Sequence, residues 1–346
     1  MTEKINRKRK LYLELLRIFA ILCVIFNHTD GFFAYYSSTQ NGITWLYSAV
    51  LSVVCRVGVP LFFMISGAVL LDKEESVEEL FRKRILRIGI VLFLFSLVQY
   101  VVAIFRGRVQ EYSFLLFVKG ILEGTIEETY WFLYAYLGIL FLLPLLRKMV
   151  RGMAGVEFRY LLIMGIGLET AFRVLGIFNG IEVQSQLYMM NLYLYFFLMG
   201  YYLEYGRDKI LQKVKKYLYV IMPLIIIIAV VTVRLDFART GNYDVRILDL
   251  WMPVFAMGTF LATKSLCDQV VFTVRTEKIV MNLASCSFGI YLLEKVARII
   301  LLPIYLFLSD KTVGILACSV YVVGTYIVAC GITVGLKCIP GIRKLL

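Results

Sequence analysis

Arg17 and His28 are the residues best suited to chemistry, and they lie eleven positions apart in an otherwise apolar stretch. Eleven helical residues rotate by about 1100°, so both side chains are expected about 20° apart on one face and roughly 16 Å apart along the axis. Ionisable groups inside a membrane helix are costly and usually functional, and an imidazole titrates near neutral pH. The pair predicts proton transfer at His28. The alternative is that His28 fixes helix packing while Arg17 reaches the lipid headgroups.

A second candidate site is the basic segment FRKRILR at residues 81–87. Arg84 and Arg87 are three positions apart and therefore share a helical face. Because guanidinium groups bind phosphate oxygens in pairs, these arginines predict a phosphate clamp. The alternative is that they anchor lipid headgroups and set the orientation in the membrane.

The substrate-side candidates lie in two apolar segments. In GVPLFFMISG (58–67), Pro60 predicts a kink, the glycines predict a close helix crossing, and Ser66 offers a hydroxyl, although Ser-Gly in a membrane helix more often serves packing. In TIEETYWFLY (125–134), Tyr130 and Trp131 are typical of an interfacial aromatic belt. Glu127 is the third candidate of that segment.

A carboxylate is expected to orient His28, as in many catalytic sites. Three candidates lie beside the Tyr-Trp pair, namely Glu123, Glu127 and Glu128. Asp30 points about 200° away from His28 unless the helix ends near Thr29. Glu294 and Arg298, like Glu169 and Arg173, are four positions apart, which favours structural pairing along one helix. The role of Arg56 stays open.

The elements that hold these residues are membrane helices. Apolar residues make up 60% of the chain, well above the share in soluble domains. Segments of about twenty mainly apolar residues can span a bilayer. Ten are found, at 12–36, 43–71, 86–105, 128–147, 158–177, 188–205, 217–235, 247–264, 279–303 and 312–337. The prediction is an all-α integral membrane protein with a single bundle of about ten transmembrane helices.

The basic residues predict the orientation. With the amino terminus in the cytoplasm, cytoplasmic segments and span ends carry 25 of the 37 Lys and Arg, outer ones carry 7, and 5 lie within spans. This asymmetry places both termini in the cytoplasm. One domain is expected over 1–346, with a basic segment at 1–11 and a short tail at 338–346.

Composition argues against several other classes of protein. The formal charge of +13 comes mainly from basic residues in the loops between spans. No nucleic-acid-binding module is recognised in the sequence. The seven cysteines have no framework spacing and read as core residues, so neither a metal site nor a resident cofactor is expected.

These residues together resemble acyltransferase family 3, membrane proteins that modify cell-surface glycans and related acceptors. The resemblance covers most of the chain. It rests on the Arg17–His28 spacing, PLFFMISG, Arg84 and Arg87, YWFL (130–133) and SFGIYL (287–292).

The resemblance implies a ten-helix core in the cell membrane that takes an acyl group from cytoplasmic acyl-CoA, with acetyl-CoA the expected donor. The acceptor would be a hydroxyl of a glycan, a lipid-linked sugar or a similar molecule outside. His28 would match the essential histidine, Arg17 its partner, and Arg84 with Arg87 the donor side. Many relatives have a histidine where this chain has Glu294. Alternatives are a carrier for a lipid-linked saccharide or small solute, and a structural partner in a polymer-assembly complex.

Overall fold

Over the residues described by a computed structural model, 2–29, 43–107, 109, 113–181, 192–206, 209–241 and 245–346, the regular structure is helical, without a strand. The helices are α1 (Thr2–Asn27), α2 (Ile43–Val54), α3 (Gly58–Leu70), α4 (Val77–Leu80), α5 (Leu86–Phe105), α6 (Phe114–Glu123), α7 (Trp131–Gly152), α8 (Gly155–Asn179), α9 (Leu192–Tyr205), α10 (Lys209–Thr240), α11 (Val245–Leu250), α12 (Met252–Gln269), α13 (Val274–Ser285), α14 (Ser287–Lys311), α15 (Gly314–Leu336) and α16 (Pro340–Arg343). The all-α prediction is confirmed.

Six helical stretches in the described part of the chain are long and apolar enough to cross a membrane. They are Trp45–Leu70, Val77–Phe105, Glu128–Gly152, Gly155–Asn179, Lys216–Arg239 and Gly314–Leu336. Many of their apolar side chains are exposed, such as Ile163 at 67% and Ile227 at 60%. Exposed apolar surface on this scale fits contact with lipid. The chain is therefore a multi-pass membrane protein, while the count of ten spans stays a prediction.

The other four predicted spans differ from simple apolar helices for identifiable reasons. α1 and α14 carry clusters of ionisable residues, including Arg17 in α1 and Glu294 in α14. The 247–264 segment divides at Trp251 into α11 and α12, and 279–303 divides at Cys286 into α13 and α14. In the first predicted span, 12–36, α1 stops at Asn27, and residues 30–36 lie outside the described residues. Of the predicted 188–205 span, the described residues begin at Leu192.

The helices group into two compact units. The first comprises residues 1–70 and 154–336, and the second comprises 71–153 and 337–346. His28, Arg17 and Ser66 belong to the first unit, whereas Arg84, Arg87, Glu127, Tyr130 and Trp131 belong to the second.

α1 is the central helix of the first unit, where it contacts α3, α12, α13, α14 and α15. Its inner residues are almost fully buried, with Leu16, Ala20, Ile21 and Ile25 each at 0% exposure. A helix that is apolar on most sides is stable only when other helices cover it. The packing therefore fixes the end of α1, from which His28 projects.

α3 and α9 form a close crossing in the same unit. A Cβ atom added at Gly67 would lie 1.7 Å from the Phe197 carbonyl oxygen, and one at Gly200 would lie 1.8 Å from that of Met64. Only glycine permits the two backbones to approach so closely. The predicted packed crossing is confirmed, and the chain forms a 3-10 turn at Cys55–Val57 just ahead of Pro60.

In the second unit, a capping box determines where the basic segment begins. Ser76 Oγ accepts a hydrogen bond from the Glu79 N–H at 3.1 Å, and the Glu79 carboxylate accepts one from the Ser76 N–H at 3.4 Å. This motif satisfies amide groups that a helix start leaves unpaired. The helix continues through a π-helical turn at Phe81–Ile85 into α5.

Candidate active site

His28 lies at the carboxyl end of α1. Its backbone N–H donates to the Val24 carbonyl at 3.1 Å, so the helical path continues to His28. Thr29 closes the end of the helix, because its hydroxyl donates to the Phe26 carbonyl at 2.7 Å. This contact satisfies one of the carbonyls left free at a helix terminus. The imidazole is thereby held on the last turn, with its side chain 25% exposed.

Glu294 of α14 is the carboxylate that meets the imidazole. Its Oε1 lies 2.8 Å from His28 Nδ1, and its side chain is 1% exposed. An ionised carboxylate can only accept, so the hydrogen-bond network assigns the ring proton to Nδ1. Nε2 is then the basic nitrogen, and no residue that the structure describes bonds to it. A histidine with an oriented Nδ1–H and an open Nε2 is arranged to act as a general base.

Arg298, one turn further along α14, completes this group. Its Nε donates to Glu294 Oε2 at 2.9 Å and its Nη2 to Oε1 at 3.3 Å. Its Nη1 donates to the His28 backbone carbonyl at 2.6 Å. The guanidinium compensates the charge of a buried carboxylate, which would otherwise be costly. A cation at the end of α1 also matches the negative end of the helix dipole.

The predicted ion pair between Glu294 and Arg298 is confirmed, but sequence reasoning did not connect it to His28. A spacing of four already accounts for Glu294 and Arg298 as partners on one helix. The sequence therefore offered no reason to expect a further partner on another helix. One signal in the sequence could have indicated that Glu294 is the partner of His28. Glu294 follows the SFGIYL motif closely, and the chain has one histidine. Of the predicted orienting carboxylates, Glu127 accepts from the Thr129 hydroxyl at 2.9 Å. Asp30 lies outside the described residues.

Arg17 lies on α1 as predicted, three turns before His28. Its Nη1 donates to both carboxylate oxygens of Glu14, at 2.6 and 2.7 Å. The side chain is 33% exposed. Between Arg17 and His28, Ile21 and Val24 are buried against neighbouring helices. The two functional candidates are therefore separated by a packed apolar stripe along one helix.

Arg84 forms part of a three-residue ionic cluster in the second unit. Its Nε donates to Glu75 Oε2 at 2.9 Å, and Arg147 Nη2 donates to the same oxygen at 3.1 Å. Burial raises the pKa of Glu75, but the hydrogen bonds from the two arginines outweigh burial and leave that pKa below its ordinary value. Glu75 is thus ionised at neutral pH, and the cluster carries one excess positive charge.

Arg87 has a different partner, because its Nε donates to the Leu345 backbone carbonyl at 3.0 Å. The two arginines of the predicted clamp are therefore held by separate parts of the second unit. Glu75, Arg147 and the carboxyl-terminal segment were not identified from the sequence. Their separation along the chain, up to 258 residues for Arg87 and Leu345, gave no local signal.

The substrate-side candidates have different environments. Trp131 is 40% exposed, whereas Tyr130 is 2% and Glu127 is 4% exposed. Glu127 also accepts from the Thr129 N–H, at the start of the 3-10 turn Glu128–Tyr130. Ser66 is half-buried in α3. Among the aromatic pair, only the Trp131 side chain offers substantial accessible surface.

A further charged cluster lies in the first unit. Arg56 Nε is 3.5 Å from Asp249 Oδ1, and Arg173 Nη1 is 3.8 Å from Asp249 Oδ2. Arg173 also bonds Glu169 at 2.9 Å, as the sequence spacing predicted. Asp249 therefore supplies the partner for Arg56 that the sequence left open. The cluster balances two positive and two negative charges, which favours a structural role.

Comparison with known proteins identifies the family of the chain. The profile of a family described as an acyltransferase domain matches residues 10–334. An amino-acid racemase from Enterococcus faecalis is 26% identical over 183 residues, which are 51% of this chain and 25% of the racemase. The chain thus covers about a quarter of that relative's length. No solved structure matches the chain.

Proposed function

The chain belongs to the acyltransferase domain family whose profile covers residues 10–334, and from this membership we propose that it is a membrane O-acyltransferase. In this proposal an acetyl group passes from cytoplasmic acetyl-CoA to a hydroxyl of an acceptor outside the cell membrane. The acceptor class is a glycan, a lipid-linked sugar or a similar hydroxyl compound. Membership of the family supports acyl transfer, and the donor and acceptor are part of the proposal.

The observation that carries the proposal is the contact of His28 Nδ1 with Glu294 Oε1 at 2.8 Å, with Arg298 holding the carboxylate. Nε2 accepts the proton of the acceptor hydroxyl as its oxygen bonds to the thioester carbonyl carbon. The carbon–sulfur bond then breaks, and the imidazolium returns the proton to the CoA sulfur. The products are an ester and the CoA thiol. A transient acyl-imidazole on His28 is the variant of this route.

The donor phosphates are proposed to bind Arg84 and Arg87, with Arg17 as a further cation on the donor side. Glu75 holds Arg84 through its Nε, and no described residue bonds the two terminal nitrogens of Arg84. A guanidinium fixed in this way presents its outer edge to a phosphate, which suits paired hydrogen bonds. The excess positive charge of the Glu75–Arg84–Arg147 cluster supports anion binding.

The acceptor is proposed to meet the protein near Trp131, with Tyr130, Glu127 and Ser66 as further candidates on the substrate side. The exposed Trp131 ring is the best placed of these for stacking on a sugar. Tyr130 and Glu127 are buried, so their expected contribution is to hold the segment that carries Trp131.

The proposal is tested by following radiolabel from acetyl-CoA in inverted vesicles. We expect wild-type protein to release CoA and label membrane or surface material. His28→Ala should lower that rate by about 10²–10⁴, the usual cost of removing a positioned base. His28→Asn is the matched variant, because its amide can still donate to Glu294 and preserve packing while it cannot act as a base.

Normal turnover by folded, inserted His28→Asn would overturn the assignment of His28. Absence of turnover by wild type with every acyl-CoA supplied would contradict acyl transfer and favour transport instead. Solute movement without acyl-CoA would be the direct sign of a carrier.

A further inference from the structure

The first unit contains an apolar groove between four helices. Its volume is about 360 Å³, which lies within the range of ligand pockets. α8, α9, α10 and α12 each contribute to the lining, which includes Leu162, Ile166, Met199, Pro253 and Met257. The groove is distinct from the His28–Glu294–Arg298 group, and its residues have no part in the proposed reaction.

The groove opens onto an exposed apolar surface. Ile163 lines it and is 67% exposed, and the neighbouring Met164 is 41% exposed. The lining runs along α8 from Arg159 to Gly167, a length of about 12 Å. An apolar groove of this length can hold part of an acyl chain.

One end of the groove is positively charged. Arg159 is the charged residue of the lining. Val214 of α10 also lines it, and Lys213 and Lys216 on either side of Val214 are exposed. Basic side chains at a membrane surface attract anionic headgroups. The opposite, Gly167 end carries no charged residue among the lining residues.

We propose that this groove binds one acyl chain of an anionic phospholipid, with the lipid phosphate at Arg159. The charge at one end and the apolar lining at the other match the two parts of such a lipid. Lipid binding in the groove does not depend on the acyltransferase reaction, so it can be tested independently of the proposed function.

The test is photo-crosslinking in phosphatidylcholine vesicles that contain a small fraction of diazirine-bearing phosphatidylglycerol. A parallel sample contains phosphatidylcholine with the same diazirine chain. We expect crosslinks to map to the lining of α8 and α12 and to favour phosphatidylglycerol. Arg159→Gln should lower that preference about fivefold, which corresponds to one basic residue at a membrane surface.

Gly167→Leu tests the groove itself. A Cβ atom at Gly167 meets nothing within 4 Å, so a leucine side chain can fill the groove without displacing backbone. We expect crosslinking at the lining to fall at least about tenfold, the scale expected when a bound chain loses its space. Gly331→Leu is the matched control, since Gly331 is an exposed helical glycine with equally open space.

Several results of these experiments would contradict binding of an anionic phospholipid in the groove. Equal crosslinking of the two lipids, or unchanged crosslinking in Gly167→Leu, would overturn the proposal. If Gly167→Leu does not fold, competition of the wild-type crosslink by unlabelled phosphatidylglycerol replaces it, and failure to compete contradicts the site. Displacement by a polyisoprenyl phosphate but not by phosphatidylglycerol would assign the groove to a lipid carrier and reject a phospholipid.

Discussion

At His28, the chemistry depends on which ring nitrogen carries the proton, because only the other nitrogen can accept one from a hydroxyl. The contact with Glu294 assigns that proton to Nδ1. Glu294 is itself held by Arg298, which also binds the His28 carbonyl. Ring orientation and the end of α1 are therefore fixed by the same two residues of α14. In the proposed reaction Glu294 acts through His28, as a positioning residue.

Glu294→Gln is expected to lower kcat by at least about 100-fold, since general-base catalysis contributes about that factor or more. The amide can present its N–H to Nδ1 instead of accepting from it, which would favour the unproductive ring tautomer. The KM for acetyl-CoA should stay within about twofold, because Glu294 is not among the side chains proposed to bind the donor phosphates. Steady-state kinetics in vesicles measures both constants.

Glu204→Gln is the control for that experiment. Glu204 is also buried and ion-paired, with its Oε2 2.7 Å from Lys264 Nζ. Loss of a buried charge there should leave kcat unchanged. An equal fall of kcat in both variants would show a general effect of charge removal and would contradict a positioning role for Glu294.

At the scale of elements, the α3–α9 crossing depends on two glycines. Gly67 and Gly200 face backbone carbonyls rather than flexible side chains. Backbone within a packed helix cannot move aside as a side chain can. The crossing is therefore sensitive to a single methyl group, and Ser66 lies next to the most crowded position.

Gly67→Ala is expected to destabilise the protein by about 1–3 kcal/mol or more, the usual cost of overpacking. A lowered apparent melting temperature in detergent would show this. Gly331→Ala should instead be neutral or slightly stabilising, because the site is open and alanine favours the helix. Equal melting temperatures for wild type and Gly67→Ala would mean that the two backbones are further apart than described.

At the scale of the whole molecule, the distribution of basic residues predicts an even number of spans. Cys338 offers a probe of this, since it is exposed while five of the other six cysteines are buried. A membrane-impermeant maleimide should label it in inverted vesicles and not in intact cells. Cys338 is expected on the cytoplasmic side because Lys and Arg are in excess in the segments placed in the cytoplasm.

Two variants complete the topology experiment. Cys338→Ser should abolish labelling, and Thr2→Cys in that background reports the other terminus. Labelling of both positions from the same side supports an even number of spans. Labelling from opposite sides would contradict the predicted ten-span topology.

Composition and local spacing were sufficient to predict the helices, two ion pairs and the family. Apolar runs predicted the helices, with 86–105 matching α5 at both ends. The spacing of four predicted the Glu294–Arg298 and Glu169–Arg173 pairs. The family could be recognised from sequence motifs, because the residue types and spacing of a motif can be read without knowledge of the fold.

Which distant residues meet depends on how the helices pack, and local spacing does not predict it. His28 and Glu294 are separated by 266 positions, and Arg84 and Glu75 by nine. Arg87 meets Leu345 in the carboxyl-terminal segment. Periodicity shows which face of a helix a residue occupies but not which helix covers that face. The packing of α1 against α14 resolved that choice, and with it identified the carboxylate that orients the imidazole.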